Sequence, residues 1–107
     1  MTRYAFIVRL FHSLLSADFN RSFRFDPDIA GAHFNLGTTY VYSGKYKEAI
    51  ESFKQAIKIK PDFADAYYNL GASHVFLNDR GSALEQYKIL KILDSELANE
   101  LFNLIYE

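Results

Sequence analysis

The sequence predicts an all-α fold built from tandem helix–turn–helix units. The first observation is a repeat: aligning residues 30–63 with residues 64–97 gives nine identical positions at an offset of 34 residues, and such a period is typical of stacked helical arrays. The second is that apolar residues recur at helical spacing within each unit. The third is a composition with two prolines and five glycines, which suits helices joined by short turns. The identical pairs are Ala30/Ala64, Ala32/Ala66, Asn35/Asn69, Leu36/Leu70, Gly37/Gly71, Val41/Val75, Ala49/Ala83, Glu51/Glu85 and Lys54/Lys88.

Residues 1–29 are predicted to contain an amphipathic N-terminal helix that belongs to a degenerate repeat. Phe19 and Phe23 stand one period before Phe53 and Ile57, as the second helix of such a repeat would place them. We expect Asp26-Pro27-Asp28 to stop this helix, because proline restricts the residue before it and cannot donate a backbone hydrogen bond. The apolar residues upstream, at helical spacing, are Phe6, Ile7, Leu10, Phe11, Leu14 and Leu15.

A secretory signal is the competing interpretation of the N-terminus, because Arg3 precedes an apolar stretch that ends at Ser16-Ala17. Arg9 and His12 interrupt that stretch, which argues against a signal. The stretch is also too short and too charged to span a bilayer, so no membrane partner is expected. The expected location is the cytoplasm, with secretion and the periplasm left open.

Residues 30–63 and 64–97 are predicted to be two repeat units of two helices each. Gly44 lies in the turn of the first unit and Asn78 in the turn of the second. Both residue types tolerate the left-handed backbone that such a turn needs. The helices are expected at about residues 29–42, 46–59, 63–77, 82–93 and 96–106.

Residues 98–107 are predicted to form a C-terminal capping helix. Asp62 is the expected N-cap of the helix before the second turn, and Ser95 is the expected N-cap of the last helix. The last helix is expected to be a poor cap, since it presents apolar residues where a terminal helix should be polar. These apolar residues are Leu97, Leu101, Leu104 and Ile105.

Composition argues against several classes of function. The net charge of −1 gives no global signal for nucleic acid, although residues 1–60 carry nine Lys or Arg against five Asp or Glu and residues 61–107 carry three against eight. The absence of cysteine excludes a disulfide framework and a thiolate metal site. His12, His33 and His74 lack metal-ligand spacing, and there is neither a glycine-bounded nucleophile nor a phosphate loop. We therefore expect no catalytic residue, metal, cofactor or small-molecule substrate.

The spaced residues of the two units resemble the tetratricopeptide repeat, a helix–turn–helix unit of 34 residues. Gly37 and Gly71 match the small residue of the first helix, with Ala49 and Ala83 as the small residues opposite. Other matching positions hold Leu36, Leu70, Tyr40, Phe53, Tyr87, Ala56 and Pro61, and the departures are His33, His74, Leu90 and Ser95.

The resemblance implies a right-handed superhelix of hairpins whose first helices line a concave groove. Such proteins are scaffolds that bind segments of other proteins and are not catalysts, so the expected partner is a protein or peptide. An aromatic groove is what anchoring an apolar side chain requires. The expected groove residues are Phe34, Asn35, Thr38, Val41, Tyr42, Tyr68, Asn69, Ala72, Phe76, Phe102, Asn103 and Tyr106.

Each feature of this groove has an alternative interpretation. The aromatic residues could serve only to pack neighbouring helices. Asn35, Asn69 and Asn103 recur at one period and resemble an amide ladder that pairs with a peptide backbone, but asparagine at this position can equally serve packing. Chaperone-binding members of the family hold a C-terminal carboxylate with cations. Of the corresponding places here only Asn69 matches, and the others hold Phe34, Thr38, Asn99 and Asn103, so that activity is not expected.

The alternative function is self-assembly. The upper part of the N-terminal helix has no preceding helix to cover its apolar residues, and burying such side chains is worth about 1.5–3 kcal/mol each. A two-fold homodimer formed by these helices is therefore predicted, with head-to-tail association of the basic and acidic halves as a second mode. The residues expected to associate are Phe6, Ile7, Leu10 and Phe11.

Overall fold

The computed structural model describes residues 27–107. They form five helices: α1 (Pro27–Tyr42), α2 (Tyr46–Ile59), α3 (Ala64–Phe76), α4 (Arg80–Leu93) and α5 (Ser95–Tyr106). No strand occurs in this range, and consecutive helices pack on each other. The all-α helix–turn–helix array is thus confirmed, while its handedness and the unit boundaries stay predictions. The predicted N-terminal helix, with Phe6, Ile7, Leu10 and Phe11, lies outside the described residues.

The helix starts differ from the expected ones at four places, one of which is α4, which begins at Arg80 rather than at about Ser82. Pro27 is the first residue of α1 rather than the stop before it, because a proline at this position loses no helical hydrogen bond. Phe63, not Asp62, precedes α3, and no side chain caps that helix. Asp94, not Ser95, caps α5: its Oδ1 accepts hydrogen bonds from the backbone N–H groups of Glu96 and Leu97, each at 3.1 Å.

The two hairpin turns have the same backbone geometry. Gly44 has φ of 75° and Asn78 has φ of 61°, both in the left-handed region. The N–H of the next residue, Lys45 or Asp79, donates to the carbonyl five residues upstream at 2.8 Å in both turns. Residues 43–45 and 77–79 are therefore equivalent turns, as the period predicts.

The core consists of two buried clusters that meet at Ile57. The first joins α2 to α3 through Ala49, Ile50, Phe53 and Leu70. The second joins α3, α4 and α5, and its members are Tyr67, Ala83, Leu90, Ala98, Leu101 and Ile105.

Gly37 and Gly71 sit at close helix contacts. A Cβ on Gly37 would lie 2.5 Å from the Phe53 ring, and a Cβ on Gly71 would lie 2.7 Å from a methyl of Leu101. Ala49 and Ala83 are fully buried, as small residues at an interface should be. The nearest neighbours of the two glycines are nevertheless large side chains, and Leu101 belongs to α5, two helices after α3, rather than to the same hairpin.

The C-terminal helix closes the array better than its sequence predicts. Leu101 and Ile105 are buried, and Leu97 and Leu104 are half-buried against the second cluster. The expectation of a poor cap is therefore wrong, because all four apolar residues pack inside the same chain. Within residues 27–107, no helix has the length and apolar character needed to cross a membrane.

Candidate functional site

Exposed apolar side chains are confined to one set of helices. We call α1, α3 and α5 the first helices and α2 and α4 the second helices. The second helices expose no large hydrophobic residue. The exposed ones lie on the first helices, apart from Leu77 just after α3, and they are Ile29, Leu36, Tyr42, Phe76, Phe102 and Tyr106.

Each first helix ends in an exposed aromatic residue. Tyr42, Phe76 and Tyr106 are the last residues of α1, α3 and α5, with 90%, 51% and 51% of their surface exposed. Phe102 lies one turn before Tyr106 and is 42% exposed. Because consecutive helices run antiparallel, these residues share one end of the array. We call Tyr42, Phe76, Phe102 and Tyr106 the aromatic edge.

Three members of the aromatic edge are positioned by the preceding second helix. The Phe76 ring lies 5.0 Å from the ring of Tyr46 at the start of α2. Phe102 lies 5.4 Å from Tyr87 of α4 and 4.8 Å from Tyr106. The guanidinium of Arg80 lies 5.3 Å from the Tyr106 ring centroid, within cation–π range. These contacts fix the rings while leaving about half of their surface in water.

Other expected groove residues are partly used for packing. Phe34 is half-buried and stacks on Phe63 at 4.9 Å, with Phe53 at 5.7 Å. Val41 is half-buried against the first core cluster, and Tyr68 against the second. Burial, and secondarily the charge of Glu100, raises the pKa of Tyr68. For these three side chains, helix packing accounts for much of their surface.

The three asparagines are not equivalent. Asn35 and Asn103 are exposed and Asn69 is half-buried. The hydroxyl of Thr38 donates to the backbone carbonyl of Asn35 at 2.8 Å, so that hydroxyl is already hydrogen-bonded within its helix. Ala72 is half-buried and offers no polar group.

Charge is sorted between the two sets of helices. From Ile29 onward the first helices contain three carboxylates and no Lys or Arg, whereas the second helices contain six Lys or Arg and three Glu. The three first-helix carboxylates, Asp65, Glu96 and Glu100, are exposed and lie in the N-terminal halves of α3 and α5. The first helices are therefore acidic at one end and aromatic at the other.

His74, near the end of α3, lies beside the second turn. Its Nδ1 lies 3.6 Å from Oδ2 of Asp79. Burial lowers the pKa of His74, a shift opposed by Asp79 and reinforced by Lys54. Hydrogen bonds with Ser82 lower the pKa of Asp79. Residues 27–107 hold no group of three potential metal ligands, and His33 is half-buried.

One cavity borders an aromatic residue of α4, and another lies near the aromatic edge. An open depression of about 560 Å³ runs along α4 beside Tyr87. A second cavity, of about 390 Å³, lies at the same end as the aromatic edge. It is lined by Val75, Asn78, Arg80, Leu104, Ile105 and Glu107.

Sequence reasoning missed the residues that support the edge. Tyr46, Arg80 and Tyr87 are on second helices, and no pattern in the sequence pairs them with Phe76, Tyr106 and Phe102. The sorting of charge was detectable, because counting Lys and Arg by helix rather than by half of the chain reveals it.

Comparison with known proteins adds one match. Residues 37–75, from the middle of α1 to the end of α3, match the family model of the TPR repeat. No curated protein matches the chain. Proteins with this repeat are typically non-enzymatic scaffolds with protein partners.

Proposed function

Because residues 37–75 match the TPR repeat, we propose that the chain binds a segment of another protein on its first helices, with the aromatic edge as the anchoring site. The observation that carries the proposal is the confinement of exposed aromatic residues to the ends of α1, α3 and α5. Rings that are held by neighbours and half exposed can bury further apolar area on binding at little entropic cost. The second helices offer no comparable surface.

The resemblance places this surface in a concave groove that also includes Asn35, Asn69 and Asn103. Extended backbone bound across the groove would find both a donor and an acceptor in each amide. Phe34, Val41 and Tyr68 would then form the floor rather than the anchors, because they are half-buried in the free protein.

Substitutions on the aromatic edge test the proposal. Tyr42→Ala and Phe76→Ala should each weaken capture of a co-purified protein partner by about tenfold or more, as interface anchors do. Tyr42 is 90% exposed, so its loss hardly affects stability. Gln55→Ala on exposed α2 surface is the matched control and should leave binding unchanged. Unchanged binding in both aromatic variants would place the site elsewhere.

A second candidate function is self-association, and the exposed face of α1 favours it. Leu36 is 45% exposed, whereas Leu70, at the same position of the next unit, is 3% exposed and covered by α2. The predicted N-terminal helix of a second copy, with Phe6, Ile7, Leu10 and Phe11 in its sequence, would be apolar enough to take that place, giving a two-fold dimer.

Deletion of residues 1–12 tests this second candidate. Light scattering should give the mass of a dimer for the full chain and of a monomer for the deletion variant. A dimer of unchanged association constant after the deletion would contradict it. A full chain that is monomeric at all concentrations would leave peptide binding as the function.

A further inference from the structure

One side of α1 is exposed where the same side of α3 is buried. Four exposed residues recur every three or four positions along α1, so they share one side of the helix. They are Ile29, Ala32, Leu36 and Thr39, and we call them the outer face of α1. One period later, Phe63 is half-buried and the other three equivalent residues are buried. The buried ones are Ala66, Leu70 and Ser73, with 0%, 3% and 1% of their surface exposed.

The helix that covers this side of α3 is α2. Leu70 lies in a core cluster with residues of α2, and the Phe76 ring lies 5.0 Å from the ring of Tyr46 at the start of α2. In the described part of the chain, no second helix precedes α1. Leu36 is therefore 45% exposed, and Tyr42, which stands at the position of Phe76, is 90% exposed.

We propose that residues 12–25 of the same chain cover the outer face of α1 as a helix, in the position that α2 has on α3. Subtracting one period of 34 from the bounds of α2, residues 46–59, gives residues 12–25. Three apolar residues of this segment recur every four positions, as one side of a helix requires. They are Leu15, Phe19 and Phe23, one period before Ala49, Phe53 and Ile57, which pack in the first core cluster.

The connection to α1 favours the same chain over a second copy. Residues 12–25 are followed by Asp26, and α1 begins at Pro27, so the segment is tethered at the start of the outer face. Proline disfavours helical backbone in the residue before it, and the chain therefore changes direction readily at Asp26. The tether also raises the effective concentration of the segment above that of a free copy.

An antiparallel helix of this length would match the outer face. A 14-residue helix like α2 is roughly 20 Å long at a rise of about 1.5 Å per residue, and α1 has 16 residues. The start of the segment, His12, would then lie beside Tyr42 at the end of α1. His12 stands one period before Tyr46, which supports Phe76. The segment would thus give Tyr42 the support from a preceding helix that the other rings of the aromatic edge already have.

Introduced cysteines test this position, because the chain has no cysteine of its own. The full chain with His12→Cys and Tyr42→Cys is treated with a short bismaleimide, and linked peptides are identified by mass spectrometry. Tyr46→Cys with Phe76→Cys is the positive control, since those two rings lie 5.0 Å apart. The link between positions 12 and 42 should form in a yield comparable to that of the control.

A matched variant within the segment separates a docked helix from a loose chain. Asn20 stands one period before Lys54, which is exposed, and along a helix it lies about 12 Å from His12. Asn20→Cys with Tyr42→Cys should therefore form several-fold less link. Equal yields at positions 12 and 20 would overturn the inference, as would the absence of a link at position 12 when the positive control links.

Mixing isotope-labelled and unlabelled chains before the reaction identifies the donor of the segment. Links confined to chains of one isotopic composition are expected. Links between labelled and unlabelled peptides would overturn the inference and assign the outer face to a second copy, as the second candidate function requires. None of these measurements involves a bound partner, so their outcome is separate from that of the binding experiments on the aromatic edge.

Discussion

The two hairpins, α1–α2 and α3–α4, share one backbone plan and stabilise it with different side chains. Their turns have equivalent left-handed residues and equal hydrogen-bond lengths. In the second turn Asp79 also accepts a hydrogen bond from the N–H of Ser82 and lies beside His74. In the first turn Lys45 makes no capping bond, and Tyr40 replaces the histidine. The period therefore specifies the backbone, while local residues decide how firmly each copy is held.

The largest expected difference concerns the outer leucine. Leu70→Ala should lower the free energy of unfolding by about 2–5 kcal/mol, because Leu70 is buried against α2 and its loss leaves a cavity. Without a helix over the outer face of α1, Leu36→Ala should cost only about 1 kcal/mol, since nearly half of Leu36 is then in water. Urea unfolding of both variants measures the difference. Equal costs would mean that Leu36 is covered in solution, by residues 12–25 or by a second copy.

The next difference concerns the glycines of α1. Gly37→Ala should destabilise the protein by about 1–3 kcal/mol, because the new methyl would meet the fully buried Phe53 ring. Gly31→Ala is the matched control: nothing lies within 4 Å of its added methyl, so replacing a helical glycine should stabilise by about 0.5–1 kcal/mol. Urea unfolding measures the stability change of both variants. Stabilisation by Gly37→Ala would contradict the close contact between Gly37 and the Phe53 ring.

Gly71→Ala sharpens the comparison between the two units. Its added methyl would meet the terminal methyls of Leu101 rather than an aromatic ring. A leucine end can rotate more easily than a buried ring can move, so the cost should be smaller than for Gly37→Ala. A larger cost would show that α5 is held more rigidly than α2.

A smaller effect is expected from giving the first turn the cap of the second. Lys45→Asp places a carboxylate where Asp79 stands in the other unit, within reach of the N–H of Glu48. Stability should rise by about 1 kcal/mol, as a new N-cap typically gives. Lys45→Asn, which caps without charge, separates capping from repulsion by Glu48. No gain in either variant would mean that the α2 start differs from that of α4.

The regular parts of the fold were predictable from the sequence. The period gave the turns at Gly44 and Asn78, and apolar spacing gave the α2 boundaries as observed. Helix starts were less predictable, because Asp62 and Asp94 look alike in sequence. Only Asp94 has the backbone position from which its carboxylate reaches the first N–H groups of a helix.

The candidate site was predictable in composition and not in arrangement. Sequence placed Phe76, Phe102 and Tyr106 on first helices, but their supports, Tyr46, Tyr87 and Arg80, depend on how consecutive hairpins cross. The packing of α5 against the second core cluster was equally unpredictable from the sequence. At the place where two units have glycine it has Ile105, which is buried in the second core cluster. Ile105 therefore contributes to the core of the chain, although the sequence alone suggested that it would be an uncovered apolar residue of the terminal helix.

The smallest expected effect is a pH dependence carried by the second turn alone. Burial lowers the pKa of His74 below its ordinary value of 6.5. In the pH window between the lowered value and 6.5, the unfolded chain binds a proton that the folded chain does not. The contribution of His74 to the free energy of unfolding should therefore be complete above about pH 6.5 and should decrease as the pH is lowered through that window.

The variant His74→Tyr introduces the residue that Tyr40 provides beside the first turn, and it should remove this part of the decrease in stability. The difference between wild type and variant, followed by thermal unfolding from pH 7.5 to pH 5, isolates His74 from the other histidines. Parallel curves over that range would mean that His74 is solvated in the folded protein, and a wild type that gains stability on acidification relative to the variant would mean that Asp79 outweighs burial.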